Sequence, residues 1–118
     1  MGTAMARTPE EIFDHHLHAL ITRDADELLV DYADDSVLIT AAGVARGKDG
    51  IRAAFATVSD ALVDAVFDVK SRTFDGDVLL LEWTLVSPGA HVDGTDTFVF
   101  GDDVIRAQTI SQVVRRQG

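Results

Sequence analysis

The main change of hydrophobic period in this chain comes near residue 63, and it limits the folds open to the chain. Before it, apolar residues recur at helical spacing; after it, they alternate. Thr8-Pro9-Glu10-Glu11 predicts a helix start, with Thr8 as cap, Pro9 at the first helical position and Glu11 closing a capping box. Ile12, Phe13, His16, Leu17, Leu20 and Ile21 then share one helical face, on which His16 is the odd member. Asp24 and Glu27 repeat the capping spacing and open a short second helix, with Leu28, Leu29 and Tyr32 on its inner side. Residues 36–40 read as a short strand ending at Ala41-Ala42-Gly43. A third helix follows Gly47, with Asp49 as its cap and Ile51, Ala54, Phe55, Val58 and Leu62 spaced helically. Strands are expected near 64–74, 77–87, 91–101 and 104–115, punctuated by Asp75-Gly76, Pro88-Gly89 and Gly101-Asp102-Asp103. Three helices followed by a run of strands joined by tight turns predict an α+β fold, the helices packed on one face of a curved, mainly antiparallel sheet. Residues 1–7 show no period and are expected to form a loose leader, leaving 8–115 as a single domain.

Charge and composition remove several classes of function. Ten basic residues against twenty acidic ones leave a net charge of −10. Such a surface repels phosphate backbones and anionic lipid, so neither nucleic acid nor a membrane surface is an expected partner. The absence of cysteine removes disulfides, thiolate nucleophiles and Cys-ligated metals. No aliphatic stretch is longer than residues 78–81, and no apolar leader opens the chain, so a cytoplasmic protein is expected. Two lysines among ten basic residues suggest a high-GC bacterial gene. No dinucleotide-binding or P-loop glycine spacing is present, and no G-x-S-x-G elbow, so no nucleotide cofactor is assigned. His15 and His18 lie on the polar side of the first helix, and no second metal-ligand pattern completes a site with them, so no metal is expected.

Alternation decides which strand side chains can meet. If Asp96 faces inward, so do Val92, Gly94, Phe98 and Phe100, together with Leu79, Leu81, Trp83 and Leu85 of the preceding strand. In the last strand the expected inward set is Ile105, Ala107, Thr109 and Ser111, with Arg106, Gln108 and Gln112 outward. The interior then becomes an apolar cavity with a few polar groups, the composition of a small-molecule site. The expected catalytic pair is His16 and Asp96. Asp96 would orient the imidazole, and His16 would move a proton or donate to a developing enolate oxygen. The competing reading makes His16 a core residue satisfied by Asp96 or a backbone carbonyl, and Asp96 a strand acid paired across the sheet. Thr40, Trp83, Tyr32, Phe55, Phe98 and Thr109 are the candidate ligand contacts, Trp83 offering a flat wall to a ring.

Several short stretches, in their order, carry a resemblance. Thr8-Pro9-Glu10, Arg23-Asp24-Ala25-Asp26, Tyr32-Ala33-Asp34-Asp35-Ser36, Arg46-Gly47-Lys48-Asp49-Gly50-Ile51 and Thr95-Asp96-Thr97-Phe98 resemble the SnoaL-like branch of the NTF2-like superfamily. That cone-shaped α+β fold is shared with ketosteroid isomerases and polyketide cyclases. The resemblance implies a homodimer and an apolar ligand in the cone, and it covers about residues 8–115. Ketosteroid isomerases place an acidic hydrogen-bond donor where Asp96 stands, and the tyrosine completing their oxyanion hole falls at His16. Their aspartate base falls at Thr40, whose hydroxyl cannot accept a proton at neutral pH, so the isomerase reaction lacks its usual base here. Two functions follow: a cofactor-independent isomerase, cyclase or dehydratase acting on a hydrophobic carbonyl or ring compound, or a non-catalytic module that binds a ligand or dimerises. The face expected to dimerise carries Glu82, Thr84, Arg106, Gln108, Ile110 and Gln112.

Overall fold

The first helix begins as its capping residues dictate. In the computed structural model, which describes residues 6–116, the Thr8 side chain accepts from the Glu11 backbone N–H at 3.1 Å. The Glu11 carboxylate in turn accepts from the Thr8 N–H at 2.8 Å. The elements are α1 (Pro9–Ile21), α2 (Ala25–Leu29), β1 (Tyr32–Thr40), β2 (Gly43–Arg46), α3 (Gly47–Leu62), β3 (Val66–Asp75), β4 (Val78–Ser87), β5 (Ala90–Gly101) and β6 (Val104–Arg116). The six strands form one curved, unclosed sheet in the order β2-β1-β6-β5-β4-β3, antiparallel except where β1 runs parallel to β6. This is the expected α+β architecture, and the bounds of the four C-terminal strands differ from expectation by no more than two residues at either end.

The N-terminal half departs from the sequence reading in places. Tyr32 opens β1 instead of closing α2, and a hairpin missed by sequence turns at Ala41-Ala42, which carries no turn signal, to pair Thr40 with Gly43. Asp49 is not the cap of α3. The helix starts at Gly47 behind Arg46, without a side-chain cap, and Asp49 lies in its first turn, where its charge complements the helix dipole. Gly47 holds a φ of +70°, and a Cβ there would stand 2.7 Å from the Asp34 carbonyl oxygen, so glycine alone fits. Of the leader expected over residues 1–7, the first five lie outside the described residues. Arg7 is tied down: its guanidinium donates to Asp31 at 2.8 Å and to the Asp103 backbone carbonyl at 2.9 Å.

The helices pack on the inner face of the sheet. Phe13 of α1, almost wholly buried, meets the rings of Phe74 on β3 and Phe98 on β5 edge-on, with centroids 6.5 and 5.7 Å away. Such aromatic pairs contribute about 0.5–1.5 kcal/mol each beyond their buried area. Ile51 and Phe55 bring α3 onto the same core.

The last strand carries the fold's most consequential irregularity. Phe100 pairs with Ile105 and Val99 with Ala107, so Arg106 has no opposite number. This bulge adds one residue, and because the strand period is two, every later side chain changes face. Ile105 points inward as expected. Beyond the bulge, Gln108, Ile110 and Gln112 point inward, and Thr109 and Ser111 are exposed.

Candidate functional site

Between α1, α3 and the inner face of β4–β6 lies a cavity of about 240 Å³ with mainly apolar walls. Its polar lining comprises His16, Tyr32, Thr57, Trp83, Asp96, Gln108 and Gln112; among the described residues, Asp96 is the one carboxylate and no lysine or arginine faces it.

Asp96 is 5% exposed, and both its oxygens accept hydrogen bonds. Trp83 Nε1 donates to one at 2.9 Å, and Gln108 Nε2 donates to the other at 2.9 Å. Burial pushes its pKa up to about 6, against the opposing pull of those two donors. The Gln108 carbonyl in turn accepts from the Tyr32 hydroxyl at 2.5 Å. Burial raises the Tyr32 pKa, with the Asp96 charge adding to it, so the phenol stays protonated. Every hydrogen bond in this chain is therefore directed from Tyr32 through Gln108 to Asp96. Trp83 reaches Asp96 because its cross-strand partner is Gly94: a Cβ at Gly94 would stand 2.0 Å from the indole.

His16 is also 5% exposed and lies against Phe98 and Tyr32, with centroids 5.4 and 5.9 Å away. Among the described residues its buried Nδ1 has no hydrogen-bond partner, and burial pushes its pKa down to about 4, so the ring is neutral. A proton on Nε2 leaves only a lone pair unsatisfied, the cheaper of the two tautomers to bury.

The structure thus brings together His16, Asp96, Tyr32, Trp83, Phe55 and Phe98 around one cavity. It does not join His16 to Asp96, whose oxygens are occupied by Trp83 and Gln108. In this arrangement the acid accepts from both neighbours, where the resemblance implies a donor. Thr40 lies outside the cavity wall at the β1–β2 turn, where its hydroxyl accepts from the Ala42 N–H at 3.1 Å. Thr109 is turned away by the Arg106 bulge. Gln108, expected on the outer face, is the site residue that sequence reading missed. The signal was present: Ile105 and Ile110, both apolar, are five residues apart and cannot share one face of an unbroken strand.

A second polar cluster lies outside the cavity. His15, expected on a solvated face, is held between the wholly buried Asp31 at 2.6 Å and Glu27 at 2.8 Å. Those two hydrogen bonds raise its pKa. Glu27 therefore does not complete the capping box expected of it, although Asp24 caps its N–H at 3.1 Å. Among the described residues no helix is long and apolar enough to cross a membrane.

Residues 13–108 match the profile of the SnoaL-like domain. No match was found among curated proteins. Among solved structures, the chain is similar to a Sinorhizobium meliloti protein put forward as a polyketide cyclase, at 25% identity over 84% of this chain and 92% of that one, with a TM-score of 0.74. It is similar in fold to a Kribbella flavida protein put forward as a ketosteroid isomerase, at 14% identity over 98% and 86% of the two chains and a TM-score of 0.77. The same holds for SalBIII, an epoxide hydrolase/cyclase-like enzyme of pyran ring formation in salinomycin, at 12% identity over 92% and 95% and a TM-score of 0.78.

Proposed function

Because this chain belongs to the SnoaL-like domain family, we propose that it is a cytoplasmic enzyme that transfers a proton within a small, neutral carbonyl compound, using only its own side chains. One observation carries this reading: a carboxylate inside an apolar cavity, aligned by two N–H donors and holding a pKa of about 6. Each carboxylate oxygen keeps a second lone pair for a substrate proton, and a base with a pKa near neutrality is efficient at physiological pH. Asp96 removes a proton from carbon next to the carbonyl. The C–H electron pair moves onto the carbonyl oxygen, where neutral His16 donates from Nε2. The proton returns at a different carbon of the conjugated system to complete an isomerisation, or the carbanion attacks a second carbonyl to close a ring and the proton passes from Asp96 to the new alkoxide.

The cavity also limits the substrate. At about 240 Å³ it lies below the roughly 300–1,000 Å³ of sites for drug-sized ligands, which favours one or two rings. An anionic ligand would meet the Asp96 charge without a compensating cation. The test is proton–deuterium exchange at the α-carbon of β-tetralone in deuterium oxide, followed by NMR. Wild type should exceed the uncatalysed rate, and Asp96→Asn should lose about 10²–10⁴-fold of the enhancement, as expected for removal of a general base. No acceleration by wild type refutes the enzyme reading.

The alternative, a binding or dimerisation module, draws support from Thr40, where the family's base is missing from the cavity. Binding of β-tetralone without exchange would favour it. The outer sheet face is the proposed homodimer surface, carrying Leu80, Val99 and Val113 in place of the inward-turned Gln108, Ile110 and Gln112. Sedimentation equilibrium of wild type and Leu80→Glu tests it: a wild-type monomer refutes the dimer.

A further inference from the structure

We propose that the Gln108 carboxamide is a two-position relay that reverses when Asp96 takes up a proton, and so releases the Tyr32 hydroxyl hydrogen to the ligand. The geometry requires one of two directions. With Asp96 ionised, Tyr32 donates to Gln108 Oε1 at 2.5 Å, and Gln108 Nε2 donates to Asp96 Oδ2 at 2.9 Å. A proton taken up at the free lone pair of Oδ2 reaches the Gln108 side by rotation of the O–H about its C–O bond, and it then faces the Gln108 NH₂, also a donor. Turning the amide by half a rotation resolves this without repacking, because its oxygen and nitrogen occupy nearly equal volumes. Asp96 then donates to Oε1, and Nε2 donates to the Tyr32 oxygen. The phenol hydrogen is left free, on a side chain that lines the cavity.

In the reaction proposed above, on whose assignment of Asp96 as base this relay's catalytic use rests, the proton leaves the substrate carbon for Asp96 as charge develops on the carbonyl oxygen. The amide turn delivers a second donor to that oxygen, beside His16, only while the charge is there. Return of the proton to carbon restores the first direction, with no net consumption of any group. Gln108 is therefore a positioning residue, acting through Asp96 and Tyr32.

The groups facing this chain leave Asp96 as its switch. His16 on α1 is neutral down to about pH 4. The wall from α2 and α3 carries no titratable side chain, and neither do the cavity residues Phe67, Leu81, Trp83 and Leu85 of β3 and β4. Asp31 precedes Tyr32 but is engaged by Arg7 and His15, and His15 itself is turned to Asp31 and Glu27, outside the cavity.

The test needs no substrate, since Tyr32 is the only tyrosine and Trp83 the only tryptophan in the chain. The tyrosine Fermi doublet in ultraviolet resonance Raman spectra distinguishes a phenol that donates from one that accepts. In wild type it should pass from donor-like to acceptor-like as pH falls through the Asp96 midpoint, which the fluorescence of Trp83 reads independently. Asp96→Asn should be acceptor-like throughout, because Asn can donate to Oε1 at every pH. Gln108→Leu, or Gln108→Met if the first does not fold, should remove the pH dependence of the doublet while Trp83 still titrates. A wild-type doublet that stays donor-like while Trp83 titrates overturns the relay, as does a donor-like Asp96→Asn. These readouts involve no turnover, so a failure of β-tetralone exchange would refute the enzyme reading and leave the relay standing. If exchange occurs, Gln108→Leu should lower its maximal rate about tenfold or more with little change in KM.

Discussion

Asp96 and His16 are buried in one cavity and should tilt the pH dependence of stability in opposite directions. Asp96 has a raised pKa, so the folded state binds its proton more readily than the unfolded state does. Its contribution is complete below 3.8 and is lost as pH rises through about 6. His16 has a lowered pKa, so its contribution is complete above 6.5 and is lost as pH falls through about 4. Each displacement corresponds to about 3 kcal/mol. In wild type the two slopes nearly cancel between about pH 4 and 6, and single substitutions should separate them. Asp96→Asn should gain about 3 kcal/mol relative to wild type between about pH 4 and 8, the gain growing as pH rises. Near the upper limit that is roughly 10 °C in Tm for a chain of this length. Asparagine can keep the chain paired, donating to a turned Gln108 while accepting from Trp83, so the gain should not be offset by a lost partner. His16→Leu should show the mirror image, its advantage growing by about 3 kcal/mol as pH falls from about 7 to 4. The assay is urea denaturation of the three proteins at matched pH values. The twenty acidic residues are common to wild type and His16→Leu, and all but one to Asp96→Asn, so differences isolate the two groups. A pH-independent difference for either variant, or a slope of the opposite sign, would refute the reasoning.

Two further substitutions probe the supports of this site. Gly94→Ala places a Cβ 2.0 Å from the Trp83 ring. It should destabilise by about 1–3 kcal/mol through overpacking, and thermal melts with Trp83 emission should show the loss together with a displaced indole. With its Trp83 donor gone, Asp96 should titrate higher than in wild type, read by carboxyl carbon NMR. Arg7→Ala removes a charged hydrogen bond to the wholly buried Asp31 and should cost about 1.5–3 kcal/mol. The loss should be measurable by urea denaturation at neutral pH, where a wild-type midpoint would show that Arg7 adds nothing.

The features legible in the sequence are those set by neighbours along the chain. Thr8, Pro9 and Glu11 specify a helix start within four residues, and the period-two runs after residue 63 specify strands whose pairing follows from their turns. Pro88-Gly89 between β4 and β5 sets Ser87 opposite Ala90, and from there Trp83 opposite Gly94 and Leu81 opposite Asp96. The cavity and most of its apolar wall follow from the same alternation. What escaped depends on contacts between distant segments. The bulge at Arg106 is a choice of register between strands, and it exchanged Thr109 for Gln108 in the site. His15 looked solvated because its partner Asp31 is sixteen residues away and reaches it only through the fold. Alternation alone turns Asp96 inward, but its partners are the cross-strand neighbours Trp83 and Gln108 and not His16, because they lie within hydrogen-bond reach of its oxygens.

The place of β6 in the sheet has a consequence for how the chain becomes a protein. It is the last strand in chain order, yet it lies between β1 and β5. Until it is inserted, the N-terminal helices with the β1–β2 hairpin and the β3–β4–β5 meander share no strand pairing. Joining Leu38 to Gln108 closes a long loop, the kind of contact whose entropic cost makes folding slow. Tyr32 belongs to the first segment, Asp96 to the second, and Gln108 to the strand that unites them. The polar chain at the heart of the cavity can therefore form only in the final docking event, and a ligand that requires it will recognise only molecules that have completed folding.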